Sequence, residues 1–384
     1  MAPNRWVVLL LVALATTIGM MVFAAPFPLL PVWIRELGLT KAEGGLLNGL
    51  WYLPGIAVAL PAGWAFDRYP ARRVMLVCWA CIVAGTALMA AARSYPVLCA
   101  GRLLFSIGMN SHMVGAPKVV GSWFAGRREL GLAMGLYTLA FTAGVFLALN
   151  VLGRMAEQGG SHPALRLIAI LTLVGIAIMA LVPELPIVAG SAEAPGRSGF
   201  HPWKLGAGAW ILAVAYFGYS IGTEAYLSFT PDFLVGRGFA LAAASSIVGS
   251  YALIAFVLKP PLSSQLTRDR AIPYVCAATT VALVSIALLF LPVPPLVSAG
   301  AMGVSLALGM PSLLALPAFL LPASQSGQGY GLYQLLYSLG FFAQPLVGFV
   351  VDRTAVYSSG YLVIAGFTLL GAMVLAPAVR RLRA

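Results

Sequence analysis

Three ionisable side chains lie inside long apolar runs of this 384-residue chain: Arg102, Lys118 and Glu224. A charged group within a membrane-spanning helix is costly, so each of them is a candidate for binding or proton transfer. Arg102 would serve as the charge partner of an anionic group, and Glu224 would take up a proton. The alternatives are a structural ion pair between Arg102 and Glu224, or a glutamate that faces its own neighbours without touching Arg102.

Polar residues recur every four positions next to two of these charges. Ser106 and Asn110 follow Arg102, and a second set carries Glu224. A spacing of four places side chains on one face of a helix. We therefore predict the following substrate-binding or proton-coupling residues: Arg102, Asn110, His112, Ser220, Glu224 and Ser228.

His112 and Lys118 lie on the same predicted helix as Arg102. The histidine would bind substrate, relay protons, or act only as a hydrogen-bonded packing residue. Lys118 follows Arg102 by sixteen residues, about 160° around an ideal helix, so the two cannot share a face. We expect Lys118 to snorkel or to make a supporting contact.

The composition indicates a membrane protein. Hydrophobic residues make up 61% of the chain, charged residues 9%, and the mean hydropathy is +0.94. Soluble domains need more polar surface than this, and the apolar runs are about twenty residues long, which suits spanning helices. We predict an all-α membrane protein with twelve transmembrane helices. The predicted spans are 7–34, 43–66, 72–92, 96–123, 129–153, 164–182, 205–230, 241–259, 271–292, 295–321, 329–351 and 359–379.

A polar stretch at 183–204 divides these spans six and six. The predicted domains are a first six-helix bundle at 1–182, a cytoplasmic linker at 183–204 and a second six-helix bundle at 205–384. An internal repeat supports two related halves, because several positions coincide at an offset of 200 residues. These pairs are Pro31 and Pro231, Gly38 and Gly238, Gly49 and Gly249, Pro61 and Pro261, and Arg68 and Arg268.

The basic residues predict the orientation. Of the 23 Lys and Arg, 14 fall on the side of the N-terminus and the even-numbered loops, and 7 on the other side. The positive-inside rule then places both termini in the cytoplasm. The net charge of +12 thus has a topological explanation, and we expect no nucleic-acid partner. Cys78 and Cys81 have metal-ligand spacing, but within a spanning helix they predict packing, so we expect no metal or cofactor.

A charged loop at 61–73 carries the most specific motif. Its pattern of Gly63, Asp67, Arg68, Arg72 and Arg73 resembles the signature between the second and third helices of the major facilitator superfamily of secondary transporters. Gly101-Arg102 resembles, more weakly, the intramembrane arginine motif of the same family. The resemblance implies a fold of two pseudo-symmetric six-helix bundles and transport by alternating access.

The resemblance also implies a role for the loop. Gly63 would let span two approach span eleven, and Asp67 would face the positive N-terminal end of span eleven, which starts at 326–329. Arg68, Arg72 and Arg73 would bridge to Asp67 and to lipid phosphates. These contacts would form a conformational latch, whereas the alternative is a basic loop that only sets orientation.

The predicted function is secondary active transport of a small organic solute, with a preference for a small organic anion and with proton coupling. The alternative is a drug/proton antiporter that exports amphipathic compounds, although span one has no acidic residue. A non-transporting receptor or scaffold is the third possibility, and the motif counts against it. We expect no enzymatic activity, a monomer in contact with membrane lipid, and a location in a prokaryotic cytoplasmic (inner) membrane.

Overall fold

The computed structural model describes residues 4–39, 43, 46, 47, 49–184, 205–239, 241–322, 325–340, 346, 347, 350, 353, 354 and 356–382. The regular structure within these ranges is helical throughout, as the composition predicts. Most of the predicted linker, residues 185–204, lies outside the described residues, so the predicted domain boundaries stay a prediction.

The described helices overlap the predicted spans, apart from a short helix at Gly153–Gly159 that lies almost wholly between two of them. They are α1 (Arg5–Phe23), α2 (Pro26–Leu37), α3 (Leu53–Arg68), α4 (Ala71–Ala91), α5 (Tyr95–Trp123), α6 (Leu130–Leu147), a π-helical turn (Ala148–Leu152), α7 (Gly153–Gly159), α8 (Ser161–Leu181), α9 (Gly206–Gly236), α10 (Leu241–Ser264), α11 (Arg268–Leu288), α12 (Pro295–Leu320), α13 (Ser326–Ser338) and α14 (Tyr357–Leu382). Among the described residues, eight helical stretches are long and apolar enough to cross a membrane. The count of twelve spans stays a prediction.

The first predicted span is divided into α1 and α2. Pro26 begins α2 and has no N–H, so it cannot donate to the carbonyl of Val22 as the next helical turn would require. The N–H of Phe27 instead donates to the carbonyl of Ala24 at 3.0 Å. The carbonyl of Phe23 thereby loses its backbone donor, whereas that of Val22 accepts the N–H of Ala25 at 3.2 Å and keeps a second lone pair.

The helices group into two compact units. The first comprises Met1–Phe124, Tyr137–Pro202 and Pro322–Ser338, and the second comprises Ala125–Leu136, Trp203–Leu321 and Leu339–Ala384. In the first unit α4 packs on α5 and α8, and α3 packs on α13. In the second unit α12 packs on α10 and α11, and α9 packs on α14.

Small residues bring α4 and α5 into close contact. A Cβ added at Gly101 would lie 2.8 Å from the carbonyl oxygen of Gly85, which is too short for a real contact. Glycine is needed where two helix backbones approach this closely. The contact fixes the part of α5 that carries Arg102.

Candidate functional site

Asp67 connects the end of α3 to the start of α13. Its Oδ1 accepts a hydrogen bond from the N–H of Gly327 at 2.8 Å, and its Oδ2 accepts one from the N–H of Gln328 at 2.8 Å. The first N–H groups of a helix have no partner within the helix and carry partial positive charge. One carboxylate therefore satisfies two of these donors and complements the helix dipole. This is the contact that the loop motif predicts.

Glycines make this approach sterically possible. A Cβ on Gly63 would lie 2.5 Å from the carbonyl oxygen of Gly327 and 3.1 Å from the Cα of Gln328. One turn further along α13, a Cβ on Gly331 would lie 2.7 Å from the carbonyl oxygen of Ala59. Larger residues would push α13 away from α3 and lengthen the bonds to Asp67.

Lys118 of α5 completes this cluster. Its Nζ forms an ion pair with Asp67 and donates to the carbonyl of Phe66 at 2.7 Å. The Asp67 side chain is fully buried and that of Lys118 is 7% exposed. We refer to Gly63, Asp67, Lys118, Gly327 and Gln328 as the Asp67 cluster. The supporting contact expected of Lys118 is thus directed at the aspartate of the motif.

The arginines of the motif lie further out. The guanidinium of Arg68 lies over the ring of Trp64, 5.5 Å from its centroid. Arg73 is exposed and its Nε is 4.0 Å from a carboxylate oxygen of Glu184, which is also exposed. Arg72 is partly buried. The predicted bridging roles of Arg68, Arg72 and Arg73 stay predictions, while the described ion pair of Asp67 is with Lys118.

Arg102 occupies the break between α1 and α2. It donates to the carbonyl of Val22 at 3.2 Å and to that of Phe23 at 2.9 Å, and it lies over the ring of Phe105. The side chain is 2% exposed, and its Nε has no hydrogen-bond partner among the described residues. Pro26 and Arg102 therefore act together, because the guanidinium gives Phe23 the donor that the helix break removes and gives Val22 a second donor beside the N–H of Ala25. The guanidinium is therefore a buried positive charge whose described partners are neutral carbonyls.

Asn110, one of the predicted binding residues, has hydrogen-bond partners for both polar atoms of its side-chain amide. Its Nδ2 donates to the carbonyls of Trp51 at 2.9 Å and Ser106 at 2.8 Å. Its Oδ1 accepts from the Nε2 of Gln334 in α13 at 2.7 Å. All these groups are in the first unit, so Asn110 connects α5 to α13 about two turns from the Asp67 cluster. This geometry favours a structural role over direct substrate binding.

His112 is also held on both sides of its ring. The indole N–H of Trp79 donates to Nδ1 at 3.2 Å, and Nε2 lies 2.9 Å from the hydroxyl of Thr16. Because the indole is only a donor, the network assigns the proton of the neutral ring to Nε2. The hydroxyl of Thr16 in turn donates a hydrogen bond to the carbonyl of Val12 at 2.8 Å. The geometry favours the packing alternative for His112.

Glu224 lies in α9 of the second unit and is partly buried. It is close enough to Tyr216 of α9 and Tyr251 of α10 to interact electrostatically with both phenols. Ser220, one turn earlier, is fully buried near Tyr216. Ser228 lies in the same helix, but its side chain is outside the described residues. Arg102 and Glu224 belong to different units, and their pairing stays a prediction.

Two charged or polar residues at close contacts were not among the predicted site residues. Gln334 donates to Asn110, and its position four residues before Ser338 on one helical face indicates a polar contact. Lys259 is the last residue of the predicted span 241–259, and the structure places it inside α10 with 4% exposure. The helix continues through the two prolines that follow Lys259. No cluster of potential metal ligands occurs within the described parts of the chain.

Residues 12–345 match the model of the Major Facilitator Superfamily, and the chain belongs to this family. It is therefore a multi-pass membrane transporter rather than an enzyme. The resemblance carried by the loop at 61–73 is thus confirmed, as is the fold class.

Several relatives and solved structures are similar to the chain. The bovine (Bos taurus) lysosomal dipeptide transporter MFSD1 is 24% identical over 364 residues, which are 87% of this chain and 75% of that protein. The mouse (Mus musculus) solute carrier family 2, facilitated glucose transporter member 10, is 31% identical over 151 residues. That match covers 38% of this chain and only 27% of the mouse protein.

Two solved structures share the fold at low identity. The human organic anion transporter MFSD10 (TETRAN) has a TM-score of 0.82 and 18% identity, covering 97% of this chain and 100% of that one. The proton:xylose symporter XylE, bound to 6-bromo-6-deoxy-D-glucose, has a TM-score of 0.81 and 14% identity, covering 98% and 96%. At these identities the similarity establishes the fold alone.

Proposed function

We propose that the chain is a proton-coupled secondary transporter that moves a small organic anion by alternating access. The relatives named above differ in substrate, since they include transporters of dipeptides, sugars and organic anions. The substrate class therefore rests on this chain's own residues, and Arg102 is the residue that carries it.

The observation in favour of an anion is the electrostatic state of Arg102. Its described hydrogen bonds go to two carbonyl oxygens, and no carboxylate contacts it within the described residues. Burying a charge without an opposite charge costs free energy. An anionic group that reached the guanidinium would offset much of that cost. Arginine also binds carboxylate through two parallel hydrogen bonds, which gives geometric selectivity.

Glu224 is proposed as the proton acceptor. It is partly buried beside the phenols of Tyr216 and Tyr251. In such an environment the neighbouring groups set the free energy of protonating a carboxylate. Ser220 and Ser228 are four residues before and after Glu224 in the sequence, and we propose that they orient the substrate or a water molecule. The Asp67 cluster would stabilise one of the conformations between which the protein alternates.

Transport into proteoliposomes with an imposed pH gradient tests the substrate class. A panel of monocarboxylates and matched neutral solutes is offered, and we expect accumulation of a carboxylate only. Arg102→Ala should lower anion uptake at least tenfold, because it removes the proposed charge partner of the anion. A factor of ten corresponds to about 1.4 kcal/mol of binding free energy. The matched control is Arg128→Ala, which removes an exposed charge and should leave uptake unchanged. Equal transport of a neutral solute, or unchanged anion uptake by Arg102→Ala, would refute the proposal.

A comparison of exchange with accumulation tests the proton role. Glu224→Gln should abolish pH-driven accumulation but retain substrate exchange at equal pH, because exchange needs no net proton movement. Glu184→Gln, on an exposed carboxylate, is the control. Retained accumulation in Glu224→Gln would exclude Glu224 as the coupling group.

Export of amphipathic compounds in exchange for protons is the second candidate, and it rests on Glu224 alone. The direction of proton movement separates the two, because an antiporter releases protons in the direction opposite to its substrate. A monomer in a prokaryotic inner membrane, with both termini in the cytoplasm, is part of the proposal. Reporter fusions at each terminus test the orientation, which follows from the basic-residue bias.

A further inference from the structure

A cavity of about 640 Å³ lies in the first unit, at the end opposite the Asp67 cluster. Helix α4 begins at Ala71, just after Asp67, and ends at Ala91, just before Arg93. Its 21 residues span roughly 30 Å, which is the thickness of the hydrocarbon core. The cavity therefore lies at the depth of the lipid headgroups on that side of the membrane.

The mouth of this cavity carries positive charge. Arg93 follows α4, while His162 and Arg166 lie one turn apart on α8, and all three are exposed. Neither arginine has a hydrogen bond or an ion pair among the described residues. Two free guanidinium groups on one cavity of this size suit a phosphate-bearing group, which arginine binds through two hydrogen bonds.

The acidic residue of the cavity is already engaged. Glu36, near the end of α2, accepts the backbone N–H of Ser161 at 3.1 Å with Oε1, and it accepts the hydroxyl of Ser161 with Oε2. Its carboxylate thus caps the start of α8, where negative charge is favourable. The lining retains an excess of positive charge, and its remaining wall is apolar, formed mainly by Trp33, Leu98 and Leu165.

An apolar stripe continues from the arginine along the outside of α8. Ile170, Leu173 and Val174 are 60%, 55% and 47% exposed, and they follow Arg166 at spacings of four, seven and eight residues. Such spacings keep them on one helical face. A cationic cavity at headgroup depth, followed by an exposed apolar face toward the membrane centre, matches the two parts of a phospholipid.

We propose that this cavity binds the phosphate headgroup of an anionic phospholipid, with Arg93, His162 and Arg166 as its ligands. The acyl chains lie along Ile170, Leu173 and Val174. A zwitterionic lipid binds less well, because its ammonium group meets the same positive charges. The proposal does not depend on the substrate of the transporter.

Native mass spectrometry of the detergent-solubilised protein tests the site by titration with dioleoylphosphatidylglycerol. The double variant Arg93→Ala/Arg166→Ala should raise the dissociation constant about tenfold. The control Arg127→Ala/Arg128→Ala removes the same charge from exposed positions of another segment and should change it less than about twofold. The double variant Arg93→Lys/Arg166→Lys should restore most of the affinity. Arg166→Gln alone, at an exposed position, gives the measurement if the double variant does not fold.

Two further titrations identify the source of the phosphate. Dioleoylphosphatidylcholine should bind weakly and with no difference between the variants. Inorganic phosphate should not displace the lipid at millimolar concentration. Displacement by inorganic phosphate, equal binding of phosphatidylcholine, or an equal loss in the control variant would overturn the proposal.

Discussion

Lys118 and Asp67 form a buried ion pair that joins α5 to the end of α3. Because the same carboxylate accepts the N–H groups of Gly327 and Gln328, three helices meet at a single side chain. The lysine compensates a charge that would otherwise be buried with only neutral donors around it. This arrangement allows the aspartate of the motif to be fully enclosed.

Removal of the lysine should therefore destabilise the protein more than removal of an exposed charge. Lys118→Met leaves Asp67 as an uncompensated buried charge, at a cost of about 3–5 kcal/mol. We expect a lower midpoint of thermal unfolding in detergent, whereas Arg127→Ala should have no effect. The double variant Asp67→Asn/Lys118→Met should recover part of the loss, and a double variant as unstable as the sum of its two single variants would contradict the coupling.

A methyl group at Gly63 should separate α3 from α13. Gly63→Ala places a Cβ 2.5 Å from the carbonyl oxygen of Gly327, so the hydrogen bonds to Asp67 must lengthen. We expect slower transport and a lower unfolding temperature. Gly249→Ala is the matched control, because a Cβ there has no heavy atom within 4 Å. It should be neutral or slightly stabilising, since alanine favours a helix over glycine. Equal effects of the two changes would show that the close approach is unimportant.

The amide contact between Gln334 and Asn110 should contribute stability without selecting the substrate. Gln334→Leu leaves the Oδ1 of Asn110 buried without its described donor, at a cost of about 1–3 kcal/mol. We expect a reduced unfolding temperature together with an unchanged ranking of substrates in competition assays. A changed ranking would return Asn110 to the list of binding residues.

His112 should influence stability but not the pH dependence of transport. Both ring nitrogens already have partners in Trp79 and Thr16, which leaves no position for proton relay in this arrangement. His112→Gln should lower the unfolding temperature and leave the shape of the pH–rate profile unchanged. A profile displaced by a full pH unit would support the relay alternative.

Arg102→Lys should separate the charge of this residue from its geometry. Lysine keeps the positive charge but lacks the planar fork that reaches both Val22 and Phe23. We expect partial retention of anion binding and a loss of stability of about 1–3 kcal/mol, since one carbonyl at the helix break loses its donor. Binding and stability that fall together to the level of Arg102→Ala would indicate a purely structural arginine.

The helical fold was predictable from local patterns, and the loop contact was predictable from the family resemblance that the motif carries. Apolar runs of about twenty residues define spanning helices, and the spacing from Gly63 to Asp67 places both on one face of α3. The partners of Asn110 and His112 were not predictable, because they come from helices distant in sequence. Pairs such as Thr16 with His112 depend on helix rotation, which the apolar pattern of a buried helix leaves undefined.

For Lys118 the sequence predicted the kind of contact but not the partner. Its angular separation from Arg102 excluded a shared face and thereby indicated a supporting contact. The identity of that contact required the crossing of α3 and α5, which no spacing in the sequence specifies. The predicted span that contains Lys259 ends too early, because α10 continues through Pro260 and Pro261 to Ser264.

The bonds from Asp67 to α13 have an evolutionary consequence. They end on main-chain N–H groups, so the hydrogen bond at position 328 does not depend on which side chain that residue carries. Proline is the exception, because it would delete the donor itself. Among distant homologues we therefore expect an acidic residue at the position of Asp67 and variable residues other than proline at position 328. At the two close approaches, Gly63 and Gly331, we expect glycine.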